Sequence, residues 1–298
     1  MSAAFDAIAA RLAAGERLTD GEADALLASH DLVSIGMLAD EVRARRHGRR
    51  TTFVRVFEVH VNDDLPASVP PRAGEVRLVG KPTSVAAAEA AVRAVTAMAG
   101  GRPLSGFALD ELKVLARTSR ISLEALARHL REAGLEHVAE VPVDRLEDAV
   151  AAVQALAAGG LGSPRAVVHA RDQAHPLASI RRAAELQRAT GAIRAFAPLA
   201  RTGDPAEPST GYDDVKQVAL ARLLIDNIES IQVDWASHGP KLAQVALTFG
   251  ADDVDGVSPI DTLELGGRRA PLEEILRNIR AASLEPAQRN GRFEPVAS

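Results

Sequence analysis

Two short runs in this chain carry residue types that support acid–base or ligand chemistry. The first lies inside TTFVRVFEVHV, residues 51–61. Strand alternation puts Thr52, Val54, Val56, Glu58 and His60 on one side and Phe53, Arg55, Phe57 and Val59 on the other. Glu58 and His60 therefore share a face, where they can share a proton or a metal ion. A pair alone does not complete a metal site, so no metal is expected. The second run is His169-Ala170-Arg171-Asp172-Gln173-Ala174-His175, at the end of a strand expected over 165–169. Two imidazoles and a carboxylate there suit proton transfer or metal binding. Glu58, His60, His169, Asp172 and His175 are the candidate catalytic set, and they act together only if the fold brings them to one pocket. Otherwise they are polar lumen lining, loop polarity and helix caps.

The elements that must position them read as an α/β barrel. In residues 218–228, Val218, Leu220, Ala221, Leu224, Ile225 and Ile228 recur at helical spacing, and Ile231-Gln232-Val233 then reads as a strand. Pro240 opens a second helix whose stripe, Leu242, Val245, Ala246 and Phe249, stops at Gly250; Asp252 to Gly256 is the next strand end. This is the closing half of a (β/α)8 barrel, in which ligands bind at the C-terminal ends of the strands. Further strands are expected at 75–79 and 193–198. Helices are expected at 85–99 and 123–133, capped by Ser84 and Ser122.

The first fifty residues read as a helical extension over the barrel bottom, with Thr19 and Asp31 starting two of its helices. The basic run Arg43, Arg45, Arg46, His47, Arg49 and Arg50 is either an anion site or a solvated helix C-terminus, and the second is favoured. The domain expectation is 1–50 for this extension, 51–258 for the barrel and 259–298 for a C-terminal helix and tail. The chain after Pro286 reads as poorly ordered, and 201–211 as a rim loop.

The closing half also carries a resemblance. Ala221-Arg222-Leu223, Asp226-Asn227-Ile228, Ile231-Gln232, Trp235, Gly239, Lys241, Ala243-Gln244 and Phe249 to Gly256 are similar to the C-terminal part of aminofutalosine synthase. That family comprises radical S-adenosylmethionine enzymes of the futalosine route to menaquinone, related to dehypoxanthine futalosine cyclase and the deazaflavin synthase subunits. Asp31-Leu32, Gly36, Leu38-Ala39-Asp40, Arg46-His47-Gly48 and Phe53-Val54-Arg55 resemble its N-terminal part. The resemblance implies a radical-type barrel. It also implies ligand contacts from Gly80, where the family has a Gly-Gly loop, from Glu111, and from Asp226, Asn227, Gln232, Trp235, Gln244 and Asp253 at the rim of strands seven and eight.

The family places C-x3-C-x2-C after the first strand to hold a [4Fe-4S] cluster, and this chain has no cysteine. Such clusters need thiolate ligands, so the expectation is no cluster and no radical initiation. Residues 61–74, VNDDLPASVPPRAG, contain three prolines and no amphipathic pattern. The cluster loop and the first barrel helix read as deleted together.

The 298 residues are 47% hydrophobic with a net charge of −5, which gives no basic footprint for nucleic acid. No apolar run suits a membrane span and no signal pattern opens the chain, so a cytoplasmic protein is expected. Two readings follow. One is a pseudoenzyme barrel that binds a nucleoside-like or aromatic acid ligand or a protein partner, with a homodimer favoured over pairing with a radical homologue. The other is a repurposed enzyme using the acid–base set.

Overall fold

The computed structural model describes residues 3–172, 174–201, 210–261 and 271–296. Eight parallel strands form the barrel: β1 (Arg50–His60), β2 (Glu75–Val79), β3 (Leu104–Ala108), β4 (His137–Pro142), β5 (Arg165–Val168), β6 (Ala195–Ala200), β7 (Ser230–Asp234) and β8 (Asp253–Val257). They run in sequence order, and β1 pairs with both β8 and β2, which closes the ring. Helices α4 (Val85–Ala99), α5 (Leu109–Thr118), α6 (Leu123–Ala133), α7 (Ala149–Ala158), α8 (Ala178–Thr190), α9 (Gly211–Leu224), α10 (Trp235–Leu247) and α11 (Pro271–Ala281) follow strands two to eight, with β3 followed by both α5 and α6. Outward strand residues such as Phe53, Val76, Leu78, Ile231 and Val233 meet the helices in one core.

Local chemistry sets the boundaries. Ser84 and Ser122 accept the backbone N–H of Ala87 and Ala125 at 3.1 and 3.0 Å, which fixes the starts of α4 and α6. Strand six begins two residues later than its sequence suggested. In α10, Gly239 (φ 77°) kinks the chain, and Pro240 opens the second segment. Of the loop expected over 201–211, residues 202–209 lie outside the described ones.

No helix intervenes between β1 and β2. The connection 61–74 packs inward through Val69 and Ala73, and Arg102 donates to the carbonyls of Ala73 and Pro71 at 3.1 and 3.0 Å. Outside β1, where a helix would lie, the buried guanidinium of Arg55 donates to Asp261 at 2.8 Å and to the Ser258 carbonyl at 3.1 Å. Arg72, from the connection, reaches the same carboxylate at 3.1 Å.

Two sequence expectations are corrected. The extension, α1 (Ala3–Ala13), α2 (Asp20–Ala28) and α3 (Leu32–His47), reaches the barrel bottom only through the end of α3, where His47 meets the Glu229 carbonyl at 3.1 Å; the rest of α3 lies along α9. Gly36 on α3 permits the close approach of Phe249, because a Cβ there would stand 2.7 Å from the ring. The bottom is closed instead by the C-terminal segment expected to be disordered. Glu285–Arg289 forms β9, parallel to the first half of β1, and the chain then turns so that Phe293 covers Arg289 at 4.0 Å. EPAQR has no β-branched residue, so local propensity gave no signal. Because β2 starts only opposite Val56, the edge of β1 from Arg50 to Val54 is free to pair with β9.

Candidate functional site

The inward residues of the strands alternate as the sequence indicated, but the described lumen is crossed by ion pairs. At its floor, Arg289 forks onto Asp253 at 2.7 and 2.6 Å, and Thr52 and Gln232 donate to the same carboxylate at 2.5 and 2.6 Å. Above this, Glu75 accepts from Ser105 at 2.5 Å and from Arg77 at 2.9 Å. Arg77 also forks onto Asp255 at 2.9 and 3.0 Å. Arg165 meets Asp255 from the opposite wall, and its Nε donates to the Ala139 carbonyl at 3.0 Å.

Nearer the rim, Arg165 lies 3.5 Å from Glu140, which is also contacted by His169 at 2.9 Å and Arg201 at 2.5 Å. Arg201 continues to Asp234 at 2.8 Å. Side-chain exposure rises from 1% at Asp255 to 18% at Arg201, so the network runs from a dry interior to a wet rim. At the floor, a cavity of about 20 Å³ touches His137, Ser105 and Arg165, which is room for one water molecule.

The electrostatics tie these groups to one another. Burial would raise Glu75, but Arg77 and Arg165 outweigh it and hold the carboxyl at about 2. Glu140 is likewise pushed up by burial and down further by His169 and Arg201, ending well below the usual carboxylate range. Asp234 and Asp253 are lowered against burial by Arg201 and Arg289 respectively. Burial and the neighbouring Arg77 and Arg201 bring Arg165 down to about 9, still cationic at neutral pH. Efficient general acids and bases have pKa values near the working pH. These carboxylates are fixed as anions, so the arrangement is suited to structure more than to proton transfer.

Comparison with known proteins agrees with the barrel. Residues 199–297 match the CofH/MqnC C-terminal region. The chain is 26% identical to aminodeoxyfutalosine synthase of Streptomyces coelicolor, over 95% of this chain and 92% of that one. The Thermus thermophilus aminodeoxyfutalosine synthase is also 26% identical, over 97% and 95%. The chain, which has no cysteine, is thus similar over nearly its whole length to the aminodeoxyfutalosine synthases. Its fold is shared with methylornithine synthase (TM-score 0.68, 13% identity, 94% of this chain and 97% of that one). The hydrogenase maturase HydG gives 0.65 at 12% identity, over 96% and 76%.

The [4Fe-4S] cluster of radical S-adenosylmethionine relatives does not fit the residues present. The connection after β1 offers Asn62, Asp63 and Asp64 as side-chain donors and no thiolate. Among the described residues, no group of three or more His, Asp or Glu is arranged to hold a metal ion.

The structure separates the candidate catalytic residues. Glu58 and His60 have the expected inward parity and are exposed at the rim end of β1, Glu58 level with Arg77. His169 joins the ionic network through Glu140. Asp172 and His175 are exposed and engage each other: Asp172 accepts the His175 N–H at 2.9 Å and lies 3.4 Å from its ring. They form a loop cap, and among the described residues no three of the candidate groups are arranged to hold a metal ion.

Of the ligand residues implied by resemblance, Gly80 (φ 95°) and Glu111 are near the rim, with Glu111 3.6 Å from Lys81. Gln232 and Asp253 meet in the buried floor, and Trp235 is half-buried where α10 starts. Asp226 and Asn227 are not at the rim, because the segment before a strand lies at the opposite end of the barrel from the segment after it. Asp226 pairs with Arg17 at 2.5 Å, and Asn227 donates to the Ala184 carbonyl at 2.8 Å. Gln244 sits half-buried on α10, outside the barrel wall. The basic run ending α3 is largely structural: Arg43 bonds Asp40 and the Gly48 carbonyl at 2.8 Å each, and His47 reaches the Glu229 carbonyl at 3.1 Å.

Sequence reasoning placed Asp234 and Asp255 among the polar groups at the strand ends but missed their partners Glu75, Arg77, Glu140, Arg165, Arg201 and Arg289. The signal was present as charged residues two apart in short strands, Glu75-Val76-Arg77 and Asp253-Val254-Asp255. In a barrel such a spacing places both charges on the inner face.

Proposed function

We propose that this chain is a pseudoenzyme of the aminodeoxyfutalosine synthase type, connected with menaquinone biosynthesis by the futalosine route and acting through binding without radical chemistry. The observation that carries the reading is the lumen: guanidinium–carboxylate pairs span it from Arg289 to Arg201 where a catalytic barrel of this type needs space for substrate. The missing thiolates support the same reading. So does the lack of a barrel helix between β1 and β2.

The test is anaerobic reconstitution with iron and sulfide, followed by absorption spectroscopy and titration with S-adenosylmethionine. The expected result is no cluster absorption and no saturable binding. Stoichiometric iron with a [4Fe-4S] spectrum overturns the reading.

A non-redox acid–base enzyme is the competing reading, and the His169–Glu140 contact is the observation in its favour. Its weakness is that Asp172 and His175 turn to each other. A cytoplasmic homodimer remains part of the main proposal, with pairing to an active radical homologue as the other arrangement. Leu65 in the β1–β2 connection and Ile260 beside Asp261 are 50% and 47% exposed, and their cover by a second copy would protect them. Sedimentation at micromolar concentration reads the state directly, and a clean monomer removes that element.

A further inference from the structure

A cavity of about 260 Å³ opens on the barrel flank, between the α1–α2 turn, α3 and the end of α9. It is remote from the lumen network and shares no lining residue with that network's ion pairs. Its size approaches the roughly 300 Å³ lower bound of small-molecule sites, and its lining combines apolar walls with a few polar groups, as such sites do. Leu12, Leu18 and Leu224 supply the apolar walls.

Two guanidiniums on the wall are already oriented. Arg46 donates to the carbonyls of Ile228 and Ile225, both at 3.2 Å, and Arg45 donates to the Leu12 carbonyl at 2.8 Å. Each contact occupies part of a five-donor fork and leaves further N–H groups. The nearby carboxylates have other partners: Glu16 pairs with Arg11 at 2.8 Å, Asp226 with Arg17 at 2.5 Å, and Asp252, which like Asp226 acts on Arg46 through space, pairs with Arg222. Among the described residues, no carboxylate forms an ion pair with Arg46, and Arg45 has only Glu41 at 3.7 Å. The Arg17–Asp226 pair lines the same cavity.

From this geometry we infer that the flank cavity is a binding site for a small monocarboxylate with a compact apolar body. The acid group would meet the Arg46 fork and the body would lie against Leu12, Leu18 and Leu224. Prior fixing of the guanidinium reduces the ordering that binding must impose. The inference does not rest on the pseudoenzyme reading, because it uses neither the lumen nor the cluster loop.

Benzoate is the probe, and benzamide is its uncharged counterpart of the same shape. An NMR shift titration of the full chain is expected to give saturable benzoate binding near a Kd of about 1 mM, with benzamide weaker by about tenfold, or about 1.4 kcal/mol. Arg46→Gln should weaken benzoate by a similar factor. Ala13→Phe fills the cavity from an exposed position without touching the guanidinium contacts, and should abolish binding in a folded protein. Equal affinity for benzamide overturns the inference, as does unchanged binding by the Ala13→Phe variant. So does the absence of saturation at about 20 mM, far above the expected Kd. If Arg46→Gln fails to fold, the benzamide comparison and Ala13→Phe still decide the matter.

Discussion

Replacing Glu75 by Gln removes one charge from the lumen while keeping the shape of the side chain. Glu75 is buried, accepts from Ser105 and Arg77, and is held from 4.5 down to about 2 because Arg77 and Arg165 overcome the effect of burial. That depression corresponds to about 3 kcal/mol of preference for the ionised form in the fold. The sign follows from the direction. A carboxyl lowered in the folded state contributes stability that is complete above the unfolded value of 4.5 and is lost as pH falls towards 2. Glu75→Gln should therefore lose about 3 kcal/mol at pH 7 and roughly half as much near pH 3. For a domain of this size, the neutral-pH loss lowers Tm by roughly 5 °C. Urea unfolding followed by circular dichroism at both pH values measures it. A loss under about 1 kcal/mol at pH 7, or the same loss at both pH values, would refute the claim that paired charges stabilise this lumen.

Other substitutions test separate parts of the architecture. Arg289→Met leaves Asp253 buried without its guanidinium and should cost about 3–5 kcal/mol in urea unfolding, while adding Asp253→Leu should recover much of it; an unaltered midpoint for the single variant contradicts the assigned plug. His137 has both ring nitrogens buried without a partner, and burial lowers its pKa. Wild type should thus lose stability as pH falls through 6.5, where the unfolded chain protonates first, and His137→Leu should lack that loss; parallel Tm profiles between pH 7.5 and 5.5 would contradict this. Thr19→Ala removes the capping box with Glu22 and should cost about 1 kcal/mol, measured by thermal unfolding; no shift would mean that α2 is held by packing alone.

Much of the scaffold was legible because it rests on local chemistry. Thr19, Asp31, Ser84 and Ser122 each cap the helix they precede, and alternation in 51–61 placed Glu58 and His60 on the inner face of β1. The absence of cysteine excluded thiolate ligation, and the proline-stiffened run 61–74 announced the missing helix; both are properties of residue identity and need no coordinates. What the sequence could not determine was which distant charges meet. Arg77 and Asp255 are 178 positions apart, and Arg289 and Asp253 come from the C-terminal segment and strand eight. Each looks like an ordinary polar residue until the ring closes. The same closure exposes an unpaired edge on β1 and draws EPAQR into a strand that its own composition does not favour. Local preferences act over a few residues, whereas ion-pair partners and sheet edges are chosen by the closed barrel, so the sequence determined the framework and the lack of thiolate ligands, and only the tertiary structure decided that ion pairs cross its centre.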